Sequence, residues 1–192
     1  MHLPEFPGAD KLVAAIDAAV LAQDEHVITH TLRNTLCAMI RDEDVRLPAY
    51  VYDEVGDHYA RRELYRSEEH GYSVIAMTWG PGQGTQIHDH CGRWCVEGVW
   101  HGALEITQYQ LLESTEERAR FAAAGAMQAG TGSAGSLIPP HEYHTIRNPS
   151  SDAIAVSLHI YKGTMNTCSV FQPGDDGWFA RETRQISLDH AN

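Results

Sequence analysis

The chain has 192 residues, 43% of them hydrophobic, and a formal net charge of −12. That length fits a single domain over residues 1–192 with enough apolar mass for one core, and the acidic balance argues against a nucleic-acid or anionic-membrane surface, since both need clustered cations. No apolar run reaches the roughly 18 residues of a membrane span, and MHLPEFPGAD lacks the basic-then-apolar pattern of a signal peptide, so a cytoplasmic protein is expected.

Residues 9–45 read as helical. Leu12, Val13, Ile16 and Val20 recur at helical spacing after Pro7-Gly8, and Ile28, Leu32, Leu36 and Met39 suggest a second helix. A third, shorter helix is expected after Pro48, running toward His58, which makes residues 1–58 an N-terminal helical portion. From about Tyr72 the pattern changes to short strand-like segments punctuated by Gly, Pro, Asn and Asp: SVIAMTW, QIHDH, WCVEGVW, ALEITQYQLL, HTIRN, AIAVSLHIY, CSVFQ and GWFARETRQISL. Many short strands with regular turns predict a mainly-β barrel or double-sheet sandwich over 72–188, carrying the helical layer. The four cysteines, Cys37, Cys91, Cys95 and Cys168, form no CxxC pair. Neither a disulfide framework nor a cysteine-type zinc site is expected from them.

The chemistry concentrates in GQGTQIHDHCGRWCVEGVWHG, from Gly82 to Gly102. His88 and His90 stand two apart in a run that reads as a strand, so both imidazoles can aim at one point. Imidazole is the commonest biological metal ligand. Farther along, PPHEYHTIRN offers His144 as a third ligand, and SLHIY places Ser157, His159 and Tyr161 on one strand face.

The segment resembles the first motif of the cupins, which runs Gly, five residues, His-x-His, three or four residues, Glu, six residues, Gly. Gly82, His88, His90 and Gly102 fit, and Cys95 stands where the usual glutamate ligand would be. Glu97 is two places late, on the same strand face, and stays open as a ligand. The second cupin motif ends in His, three residues, Asn, which His144 and Asn148 match; Pro139 precedes them, and His141 replaces the usual glycine. A 2-His-1-carboxylate site has one negative ligand. Three neutral histidines leave a divalent ion its full charge, which favours an incoming anion such as a thiolate.

This combination resembles the cysteine dioxygenase family of thiol dioxygenases, over roughly Tyr59 to Cys168, and within it the arginine-type bacterial members. The resemblance implies a cupin fold, a double-stranded β-helix or jelly-roll-like small barrel. It implies iron(II) held by His88, His90 and His144, and the family's Ser-x-His-x-Tyr strand as Ser157, His159 and Tyr161. Some members cross-link a cysteine to that tyrosine, and Cys95 occupies the cysteine position. A residue ahead of the barrel binds the substrate carboxylate. Tyr59-Ala60-Arg61 fits the arginine pattern, with Arg62 as the alternative and Tyr59 as pocket wall.

The implied activity is oxidation of a small thiol carboxylic acid, first of all L-cysteine, by O2 to a sulfinic acid. 3-Mercaptopropionate and mercaptosuccinate are the alternatives, the latter because two neighbouring arginines would suit a dicarboxylate. A non-catalytic metal-binding cupin is the reading from another class. Tyr161 would place its hydroxyl by the reacting oxygen or the carboxylate, His159 would orient it, and Ser157 would fix the imidazole from behind. Trp79 and Trp94 read as packing residues, and Cys37 and Cys168 as structural. Cys95 also admits a plain core reading, and Cys91 is a weaker cross-link partner. The resemblance implies a monomer or small homo-oligomer.

Overall fold

The computed structural model describes residues 5–190. Two helices, α1 (Ala9–Val20) and α2 (Glu25–Ile40), precede eleven strands. These are β1 (Ala60–Ser67), β2 (Tyr72–Trp79), β3 (Ile87–His88), β4 (Cys95–His101), β5 (Ala103–Ser114), β6 (Arg118–Gly130), β7 (Ala134–Leu137), β8 (His144–Arg147), β9 (Ala155–Lys162), β10 (Thr167–Pro173) and β11 (Phe179–Gln185). One sheet has the order β1-β2-β9-β4-β7, and a second set, β10-β11-β6-β5-β8-β3, closes on itself. This is the mainly-β cupin architecture with its helical layer, as the motifs predicted. No helix among the described residues is long and apolar enough to cross a membrane.

The first sheet is buried on both faces, and the two faces do different jobs. Val74 and Ala76 of β2, with Leu158 and Ile160 of β9, join the helices in one apolar cluster. The alternate residues Ile75, Met77, Trp79 and Tyr161 line the barrel interior, as a period of two requires. Ser157, His159 and Tyr161 therefore point inward because Val156, Leu158 and Ile160 must point at the helices.

α1 buries Ala9, Leu12, Val13, Ile16 and Ala19, the stripe expected of a helix lying on a sheet. α2 is started by Asp24, whose carboxylate accepts from the backbone N–H groups of His26 and Val27 and so satisfies two free first-turn donors. Leu32 and Leu36 are fully buried, and such burial stabilises by roughly 1.5–3 kcal/mol per side chain. The helix comes close because β4 carries Gly98 beneath it; a Cβ there would stand 2.9 Å from Ile40 Cδ1.

Two sequence expectations are corrected here. The helix expected from Pro48 toward His58 is a single 3-10 turn, Ala49–Tyr52; the acidic, glycine-containing DEVGD that follows has no apolar repeat to hold a longer one. The sheet also begins earlier than Tyr72, at β1. ARRELYRS shows no hydrophobic alternation because Arg61 and Arg62, which look like surface residues, are both buried. The motif glycine Gly102 links β4 to β5 with φ +74, and a Cβ on it would meet the Ile154 carbonyl oxygen at 2.8 Å.

Candidate active site

The three histidines of the motifs converge. β3 is two residues long, and its His88 pairs in register with His144 of β8. His90 follows in the turn, and its ring centroid lies 5.3 Å from that of His88 and 5.2 Å from that of His144. The backbone carbonyl of Gln86 lies 3.0 Å from Nδ1 of His88. A carbonyl can only accept, so Nδ1 carries the proton and Nε2 keeps its lone pair. That Nε2 lies 3.1 Å from Nε2 of His144. Two nitrogens each about 2.0–2.1 Å from one ion are roughly that far apart. One ligand atom from each of His88, His90 and His144 fits within 4.8 Å of the others.

Burial holds His88, His90 and His144 below the usual imidazole range, the last two well below it. The neutral form is the ligating one. His90 Nδ1 and His144 Nδ1 are buried without a hydrogen-bond partner among the described residues. The residues present thus fit a divalent metal.

Glu97 is not part of this group. Its Oε1 lies 3.8 Å from Nδ1 of His144, on the ring edge away from the His88 contact, and its Oε2 lies 3.4 Å from Nδ1 of His159. Cys95, Glu97 and His159 form a second buried cluster behind the three histidines. Desolvation pushes the Glu97 carboxyl up to about 8.

β9 and β4 set the next layer. Cys95 faces Tyr161 and Glu97 faces His159 as direct cross-strand partners. The Cys95 thiol lies 3.9 Å from Nδ1 of His159. Burial, joined by the Glu97 charge, raises the Cys95 thiol, and burial raises the Tyr161 hydroxyl well above its ordinary value. Burial lowers His159 to about 3.

A directed hydrogen-bond chain runs along this face. The Trp79 indole N–H donates to Ser157 Oγ at 2.8 Å, and Ser157 Oγ lies 2.8 Å from Nε2 of His159. With one lone pair used on Trp79, the serine still has its proton to give, and in the donating orientation that proton goes to Nε2. The imidazole proton is then on Nδ1, 3.3 Å from the Tyr161 hydroxyl. Trp79, read from sequence as packing, therefore also polarises this chain; an indole N–H is recognisable as a donor only once its partner is known.

A cavity of about 310 Å³ opens over the histidines, with Arg61, Tyr59 and Tyr161 in its wall. Arg61 and Arg62 point to opposite faces of β1, as neighbours in a strand must. Arg61 is 6% exposed, reaches the cavity and donates to the Ser187 carbonyl at 3.3 Å. Arg62 turns toward the helical side, bonded to Thr78 Oγ1 at 3.1 Å and to the Asp53 carbonyl at 2.7 Å. This corrects the alternative that Arg62 lines the pocket, and with it the idea of a neighbouring arginine pair. Tyr59 stacks on Trp79, ring centroids 4.5 Å apart. Cys168, read as structural, lines the cavity too, and Arg184 and Gln86 reach it without having been singled out. Asn148 is a clamp instead, donating to the carbonyls of Trp79, Gly80 and Ala153. His141 and Cys91 are exposed; the Cys91 thiol faces the Thr167 carbonyl, not Tyr161.

Residues 49–173, more than half of the chain, match the model of the cysteine dioxygenase type I family. The chain belongs to the cysteine dioxygenase type I family. Within that family it is 23% identical over 129 residues to cysteine dioxygenase type 1 of Rattus norvegicus and 24% identical over 129 residues to that of Bos taurus. Each alignment takes in 63% of this chain and 60% of the relative. A double-stranded β-helix domain protein from Klebsiella pneumoniae is similar in structure, with a TM-score of 0.49 at 15% identity, over 68% of this chain and 95% of that one. The family match begins at Ala49, so it includes β1 with Arg61, and ends at Pro173, short of β11.

Proposed function

We propose that this chain is an iron(II)-dependent dioxygenase that converts a small thiol carboxylic acid and O2 into the sulfinic acid. Both oxygen atoms go to sulfur, so electrons balance without a further reductant. The observation that carries the reading is the neutral three-histidine cluster, His88, His90 and His144, at the floor of a cavity whose wall holds the buried guanidinium of Arg61. Membership of the cysteine dioxygenase family supports it.

The three imidazoles would hold the metal. Iron(II), when bound, supplies electrons and adjoining open positions at which a thiolate and triplet dioxygen can react. The protein's own part is positioning. Arg61 offers two parallel N–H donors to a carboxylate, which fixes the substrate relative to the histidines and makes the reaction effectively intramolecular. Its charge is unpaired and nearly dry, so an anion is the partner that stabilises it most. Tyr161 receives the Nδ1–H of His159, which leaves its own hydroxyl proton free for the pocket. Ser157 and Trp79 hold His159 in that tautomer. Tyr59, stacked on Trp79, closes the wall. Cys95, opposite Tyr161, is the partner for a thioether with that ring.

The test is direct. Protein loaded anaerobically with iron(II) is mixed with oxygen and each of L-cysteine, 3-mercaptopropionate and mercaptosuccinate, and oxygen uptake and sulfinate are followed. Stoichiometric uptake and sulfinate with one of them is expected. No uptake with any thiol overturns the proposal.

A further inference from the structure

The cavity over the histidines contains a second arginine that lies beyond the segment matched by the family. Arg184 sits near the end of β11, in register with Cys168 of β10, and both line the cavity. Its guanidinium donates to Gln86 Oε1 at 2.7 Å, a neutral partner. Arg61 of β1 likewise donates to a neutral carbonyl, that of Ser187 just beyond the end of β11. Among the described residues neither guanidinium is given a carboxylate to pair with, in a chain whose 26 acidic residues outnumber its 14 lysines and arginines. The field of both arginines reaches His88, Tyr59 and Cys168 alike, so the charges converge on one space. One carboxylate lines the cavity, Asp189. It is already taken by His58 at 2.9 Å and by the backbone N–H of Arg61 at 2.8 Å.

We infer that Arg184, held by Gln86, is a second carboxylate subsite, and that the substrate is a thiol acid bearing two carboxylates. This rests on the dioxygenase reading for the reaction, but not for the binding. Arg61 is buried and takes the carboxylate nearer the metal; Arg184 is exposed at the rim and takes the one farther out. In mercaptosuccinate, one carboxylate is on the carbon bearing sulfur and the other on the next carbon, so both charges accompany the thiol to the histidines. An amino acid such as cysteine would instead bring an ammonium into a space facing two unpaired cations, with no free carboxylate to receive it. A monocarboxylate such as 3-mercaptopropionate would leave one guanidinium unmatched.

The experiment compares the wild type with Arg184→Met, a change at an exposed side chain, and Arg184→Lys. In the iron-loaded wild type, kcat/KM for mercaptosuccinate exceeds that for 3-mercaptopropionate and for L-cysteine by about tenfold or more, the size of one charge-assisted pair. Arg184→Met loses about that factor for mercaptosuccinate, through KM, and stays within about twofold for 3-mercaptopropionate, while Arg184→Lys recovers part of the loss. Equal losses for both acids, or a wild type that prefers a monocarboxylate, overturn the inference. Calorimetric titration of the metal-free chain with succinate and with propionate separates binding from reaction. If no thiol is oxidised, the dioxygenase reading fails alone, and succinate binding that Arg184→Met abolishes still upholds the subsite. Succinate bound no better than propionate overturns it whatever the activity.

Discussion

Glu97 of β4 and His159 of β9 are direct cross-strand partners, with Oε2 of one 3.4 Å from Nδ1 of the other. They do not form an ion pair at neutral pH. Burial pushes the acid up to about 8 and the imidazole down to about 3, so each is neutral. The cupin glutamate has not simply slipped two places along the strand. It lies outside the three-histidine cluster, against Nδ1 of His144 and of His159.

That placement sets a pH dependence for the metal-free protein. In the unfolded chain Glu97 titrates near 4.5, and in the folded chain near 8. Between those values the unfolded state releases a proton that the folded state keeps, so this group's contribution to stability falls as pH rises through the window. Glu97→Gln keeps the shape and removes the titration. Its stability relative to wild type should rise by roughly 1–4 kcal/mol between about pH 5 and pH 8. Urea melts of both chelated proteins at the two pH values measure it, and a constant difference would contradict the burial argument.

Cys95 and Tyr161 face each other in the same register. A thioether forms an S–C bond from the thiol sulfur to the tyrosine ring, and the two hydrogens lost reduce one O2 to hydrogen peroxide; iron(II), if held by His88, His90 and His144, would supply the redox chemistry. After aerobic turnover the intact mass should be lower by two hydrogens, and a faster band should appear on a denaturing gel. Cys95→Ala should show neither, with kcat reduced and KM for the thiol within about twofold. A full-mass wild type after many turnovers argues for Cys95 as a plain core residue.

The two buried arginines of β1 should respond oppositely. Arg61→Met removes the cavity's guanidinium, and kcat/KM for the thiol acid should fall by at least about tenfold with little change in melting temperature. Arg62→Met strips hydrogen bonds from Thr78 and from the Asp53 carbonyl. It should destabilise the fold by about 1–3 kcal/mol and leave KM nearly unchanged. Steady-state kinetics beside thermal melts separate the two, and the reverse pattern would place the carboxylate site on Arg62.

The convergence of three histidines was legible in the sequence because local spacing carries it: one strand and turn aim His88 and His90, and a second motif aims His144. Ser157, His159 and Tyr161 were legible for the same reason, as alternate residues of one strand. What the sequence hid depends on long-range pairing. β1 was missed because buried arginines break the apolar alternation that marks a strand. Glu97 could not be assigned because its place depends on which edge of the His144 ring faces His88 and which faces β4. Arg184 reaches the cavity only because β11 pairs with β10, a register that no local pattern announces.

The indole of Trp79 provides the sharpest test of the hydrogen-bond chain. Trp79→Phe keeps an aromatic partner for Tyr59 but deletes the N–H that donates to Ser157. Ser157 loses the donor that polarises its hydroxyl toward His159 Nε2, so the imidazole is held less firmly with its proton on Nδ1. Tyr161 loses a fixed donor and the pocket loses an oriented hydroxyl. The substrate carboxylate contact at Arg61 is untouched, so KM should stay within about twofold while kcat falls by about tenfold. Nitrogen-15 spectra of histidine-labelled protein report the tautomer independently of turnover. A variant with reduced kcat but an unchanged His159 tautomer would show that Trp79 acts by packing alone.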